Sequence, residues 1–182
     1  PPHYQTDTAP RNCVQTIKLP DEIKGRFAHF AVHLPRNRLF ATPDDNHAVL
    51  VFDLKTGKLL HTIKGIGKPH AILYREDLHQ LYITDGDAGV LNIFDSKTYA
   101  LKSSVKLLEY ADSIGYHPAP KSLYIDNGGR DVHQTYSMLS LVDTTPGKHV
   151  ADKKSYGKTP AAVTRITTRP KLRPPNPLDW VL

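Results

Sequence analysis

Three side chains able to bind a metal recur along this sequence at nearly constant intervals: His29, His70 and Asp112, 41 and 42 residues apart. Imidazole and carboxylate together suit zinc, copper or iron. A second set, Asp44, Asp45, His47, Asp85, Asp87, Asp131 and His133, falls in polar stretches between apolar runs. Such oxygen-rich loops favour calcium, although aspartates of this kind also start turns. A third set is cationic: Arg36, Arg38, Lys55, Lys58, Arg75, Lys97 and Lys121. Familiar catalytic motifs are missing. The stretch GIGK at 65–68 lacks the length and the Ser/Thr of a phosphate-binding loop, and there is no Gly-x-Ser-x-Gly elbow. DGDAG at 85–89 lacks the twelve-residue spacing and terminal glutamate of a calcium loop. The lone Cys13 forbids an intrachain disulfide and reads as a packed residue opening a strand.

The elements that must position these residues repeat as well. RLFATPDDNHAVLVFDLKTGK returns as QLYITDGDAGVLNIFDSKTYA, and more loosely as SLYIDNGGRDVHQTYSMLSLVDTTPGK. Leu39, Leu81 and Leu123 are spaced by 42, as are Phe40, Tyr82 and Tyr124. Asp53, Asp95 and Asp143 are spaced by 42 and then 48, which places six extra residues between the second and third strands of the last repeat. The apolar stretches are short, rich in β-formers and bounded by Asp, Asn and Gly, so they predict strands. Four strands per repeat make an antiparallel meander of about 42 residues, the unit of a β-propeller blade. The aromatics at 40, 82 and 124 are expected in the core between blades.

GIGKPHAILY followed by R-L-Y/F-x-T, V-x-V-x-D and a Lys-Thr-Gly turn resembles the YVTN-type propeller repeat of the YncE-like family, over residues 13 to about 163. Tyr99 stands where that pattern has the turn glycine. The expected fold is all-β: a β-propeller with about three complete four-stranded blades plus partial first and last blades. CVQTIKL from residue 13 reads as a fourth strand, and GKTPAAV from residue 157 as the opening of a further blade. Residues 1–12 are an N-terminal extension, and residues 164–182 a proline-rich basic tail. Open propeller edges are templates for association, so a homo-oligomer paired through them is expected. The resemblance also implies a bacterial secreted or periplasmic setting.

In such a meander, the start of strand one and the loop between strands two and three share one face of the disc. His29, His70 and Asp112 then gather at the channel mouth, with the other acidic and histidine loop residues further out. The cationic set gathers on the opposite face. The leading expectation is a binding or scaffold module for a small ligand or a protein. A metal-dependent hydrolase of the lactonase type, using zinc, copper or calcium at the His/His/Asp site, is one alternative. Polyanion binding through the basic face is another. The 182 residues carry a net charge of +6, but half of it lies beyond residue 164, so charge argues only weakly for nucleic acid. The longest apolar runs, such as residues 48–52, are only of strand length, so no membrane span is expected. A start at Pro1 reads as a processed or trimmed terminus.

Overall fold

The computed structural model describes residues 15–156 apart from Pro120. Twelve strands form three separate four-stranded antiparallel sheets, each in chain order. The first holds β1 (Phe27–His33), β2 (Arg38–Pro43), β3 (Ala48–Asp53) and β4 (Leu59–Lys64). The second holds β5 (Pro69–Arg75), β6 (Gln80–Asp85), β7 (Val90–Asp95) and β8 (Leu101–Lys106). The third holds β9 (Ile114–His117), β10 (Ser122–Gly128), β11 (Tyr136–Asp143) and β12 (Lys148–Tyr156). The only helical residues among those described are three single 3-10 turns. The extra residues of the third repeat lengthen β10, β11 and the connection between them, which runs over 129–135 where the other two sheets have four residues.

The middle strands β2, β3, β6 and β7 are buried on both faces almost throughout, whereas the outer strands β4, β8 and β12 are largely exposed. Phe40, Val49, Val51 and Ile63 of the first sheet pack against Ile72, Leu81, Ile83 and Phe94 of the second. Tyr82, Leu91, Ile93 and Val105 repeat this packing against Leu123, Ile125 and Val142 of the third. The recurrent aromatics Phe40 and Tyr82 are buried in these layers, and burial pushes the Tyr82 phenol up to about 12.

Hydroxyl clamps cross the same layers. Thr42 Oγ1 accepts from the His29 amide at 2.8 Å and donates to the His70 carbonyl of the next sheet at 2.8 Å. Thr84 Oγ1, 42 residues on, accepts from the Ala71 amide at 2.8 Å and donates to the Asp112 carbonyl at 2.7 Å. Asp126 holds the third such position. Turns are fixed by aspartate. Asp53 accepts from the Thr56 amide at 2.8 Å and Asp95 from the Thr98 amide at 2.9 Å. These bonds hold both carboxyls below the ordinary aspartate range.

Two expectations need correction. The register sets Phe27 opposite Pro43 and Pro69 opposite Asp85, so His29 is equivalent to Ala71, not to His70. A slip of one residue moves a strand side chain to the other face. The expected strand CVQTIKL is not assigned as a strand over its described residues 15–19. Ile17 and Leu19 nevertheless pack on Ala41, Leu50 and Phe52 of the first sheet, much as Ile63 packs on the second. Cys13, the expected blade opening at 157 and the tail from 164 lie outside the described residues.

Thr84→Val keeps the volume but leaves a buried amide and two carbonyls without the hydroxyl. It should lower unfolding stability by about 2 kcal/mol in denaturant titration, with Thr84→Ser recovering most of the loss. Asp126 should respond with the opposite sign. Burial, and then the charge of Asp112, raise its pKa. A raised aspartate destabilises the fold as pH climbs through its unfolded value and beyond. Asp126→Thr should therefore raise the melting temperature at neutral pH, with the gain vanishing below the ordinary aspartate pKa.

Candidate functional site

At the face holding the starts of the first strands, the sheet register determines which polar groups meet. His70, the second residue of β5, is buried with Nδ1 3.6 Å from Asp112 Oδ1. Its ring lies against Tyr110, with centroids 5.3 Å apart. Nε2 is buried without a partner and abuts Gly86, where an added Cβ would stand 2.8 Å from it. Burial lowers the His70 pKa more than Asp112 raises it, so the ring is neutral at neutral pH. His29 is exposed.

His29, His70 and Asp112 therefore do not form a chelating set. One nitrogen of His70 faces Asp112 and the other faces backbone. Among the described residues no group of three or more His, Cys, Asp and Glu could hold a metal ion. The donor set does not fit the metal that its residue types suggested.

The outer loop residues divide into buried braces and exposed groups. Asp44 is buried and receives Arg26 Nε at 2.9 Å. Its burial opposes ionisation, but the Arg26 hydrogen bond and charge outweigh that and lower its pKa. Asp85 is buried and accepts amides from Gly67 at 2.7 Å, Lys68 at 3.0 Å and Ala88 at 3.1 Å. Both are braces between a loop and the start of a strand. Asp45, His47, Asp87, Asp131 and His133 are exposed, and His47 Nδ1 meets the Gly67 carbonyl.

The opposite face carries a concavity. A cleft of about 570 Å³ opens between the first two sheets, lined by Arg36, Arg38, Leu60, His61, Lys97, Thr98 and Tyr99. Three of the seven residues expected on a basic face thus converge on one hollow. Arg36 Nη1 reaches the Ser96 carbonyl at 3.4 Å, which ties it across to the second sheet. Arg38 Nη1 donates to the Arg36 carbonyl at 2.9 Å and lies 3.5 Å from Asp53 Oδ2. His61 stacks on Tyr99 at 4.9 Å, and Tyr99 meets Phe40 edge-on at 6.2 Å. Tyr99 has φ +60°, where the equivalent Gly57 and Gly147 have +72° and +62°. An aromatic residue in this left-handed region is strained, and its ring forms one wall of the cleft.

Arg75 leaves the basic set. It is buried, paired with Asp77 at 2.6 and 2.8 Å, and lies 3.9 Å over the Tyr116 ring. Lys55, Lys58 and Lys121 are exposed on the same side but do not line the cleft. His61 is not among the residues that the repeat pattern singles out, because its partner Tyr99 comes from a turn of the next repeat. His33 is not among them either. It is buried, with Nε2 2.6 Å from Glu76 and its ring 4.1 Å from Tyr74.

This architecture has solved counterparts. Hydrazine synthase of Kuenenia stuttgartiensis is similar over 80% of this chain, at 18% identity and TM-score 0.65. Dihydro-heme d1 dehydrogenase NirN, solved in complex with DHE, is similar over 70%, at 13% identity and TM-score 0.57. U3-55K is similar over 75%, at 13% identity and TM-score 0.52. The fold is a β-propeller. At these identities the likeness concerns fold alone. The chain spans 41%, 28% and 42% of the length of those three chains. No family model matches the chain, and no curated protein matches its sequence.

The neutral, buried His70 makes a pH prediction. Its folded pKa lies below the unfolded value, so acid protonates the unfolded chain first. Stability should fall as pH drops below about 6.5, the ordinary histidine value. His70→Gln should flatten that part of a melting-temperature profile.

Proposed function

We propose that this chain is a non-catalytic β-propeller binding module, and that the cleft between its first two blades takes a polyanionic ligand. The observation carrying this reading is the convergence of Arg36, Arg38 and Lys97 on one hollow walled by His61 and Tyr99. Guanidinium groups present a planar fork of donors that suits phosphate, sulfate and carboxylate. Arg36 and Arg38 are tethered through backbone carbonyls, which leaves other donors of each fork for a ligand. Of the nearby acids, Asp53 shares its charge with Arg38 and with the Thr56 turn, and Asp95 is occupied by the Lys97 and Thr98 amides. The aromatic pair adds a flat apolar wall for a sugar or base. Lys55, Lys58 and Lys121 extend positive potential over the same side, which aids capture at low salt.

The test is titration with a sulfated oligosaccharide and with polyphosphate. Arg36→Glu combined with Lys97→Glu should weaken binding by about tenfold or more at low salt, and wild-type affinity should fall steeply as salt rises. Tyr99→Gly, which removes the wall but suits the backbone, should weaken binding while leaving the β circular dichroism unchanged. Binding untouched by the double charge reversal, or lost only on deleting residues 165–182, would refute the cleft as the site.

A further inference from the structure

The interfaces inside this molecule describe what would fit the outer faces of its first and third blades. In the second blade, Ile72 and Tyr74 turn toward the first blade and pack on its core. In the third, Ile114 and Tyr116 do the same toward the second. The first-blade residues in that register are Phe30 and Val32, which are 55% and 38% exposed, and Leu34 beyond them is 72% exposed. Residues Ile17, Leu19 and Ile23 cover only the other part of this face. Beside them a groove of about 560 Å³ remains, with Ile23, Leu50 and Leu59 among its walls.

The far side of the third blade is the complementary half. Phe40 and Tyr82 are buried under the following blade, and so are Val49 with Leu91 and Val51 with Ile93. Their third-blade equivalents Tyr124, Leu139 and Leu141 are only half-buried, and among the described residues none belongs to a hydrophobic cluster. A second series ends there too. His33 stacks on Tyr74 and Arg75 on Tyr116. The next member, His117, has a buried Nδ1 without a partner. The residue that a following blade would bring over His117 corresponds in register to Val32.

We infer that these two faces bind each other between two copies of this chain, the first-blade face of one copy seated head to tail on the third-blade face of the other. The occupant follows from register. The first-blade face presents apolar residues at the positions that fill a preceding blade, and the third-blade face presents the positions that receive them. Each copy carries one face of each kind, so the contact is heterologous, and two copies that close on each other use both. A like-with-like pairing would set Phe30 and Val32 against themselves, with no internal interface as a template.

Sedimentation of the full chain tests this. The wild type should run at twice the 20.4 kDa chain mass. Phe30→Asp and Leu141→Asp, each on an exposed or half-buried side chain, should fold with unchanged β circular dichroism and weaken self-association by about 100-fold or more. An equimolar mixture of the two variants should then form a one-to-one complex, because each retains the face the other has lost. A monomeric wild type would overturn the inference. So would a mixture that stays monomeric, or dimers that appear only after residues 157–182 are deleted, since the third-blade face would then be covered by the chain itself.

Discussion

The layer between adjacent sheets is the contact on which everything else in this molecule depends. A lone four-stranded meander has two apolar faces and can bury neither by itself. The second blade is stable because Phe40, Val49 and Val51 close one of its sides while Leu123, Ile125 and Val142 close the other. The threonine clamps set the relative height of the blades by tying a hydroxyl on one sheet to a carbonyl on the next. Direction follows from the same contact. Each blade has a side that presents strand-one residues and a side that receives them, so the assembly has a head and a tail.

That layer also determines where chemistry can occur. On the side where the first strands begin, the clamps bring His70 and Asp112 close, but the packing that does so buries the imidazole beside Gly86 and leaves His29 exposed away from it. Carboxylates there brace loops: Asp85 gathers three amides and Asp44 holds Arg26. On the other side, turns from different blades diverge enough to leave a cleft. Arg36 and Arg38 come from one blade, Lys97 and Tyr99 from the next, and the strained Tyr99 backbone is held by ring contacts with His61 and Phe40. Charge on this protein is useful where the packing layer ends.

The sequence by itself determined the architecture, because a 42-residue period of alternating apolar strands with aspartate-led turns has few other solutions. It also determined that the extra residues of the third repeat fall around the β10–β11 connection. Tertiary structure decided which residues meet. The interval of 41 between His29 and His70 looks like the repeat, yet backbone pairing sets Ala71, not His70, in the place of His29, and one residue of strand register changes the face. Arg75 reads as one more exposed cation, but the bidentate contact with Asp77 and the Tyr116 ring of the next blade withdraw it. His61 and Tyr99 lie in different repeats, 38 residues apart, and no local pattern joins them. Period survives in the one-dimensional order because it reflects burial, which acts on every strand alike. Pairing across a layer depends on the phase between two sheets, and that phase exists only once they pack.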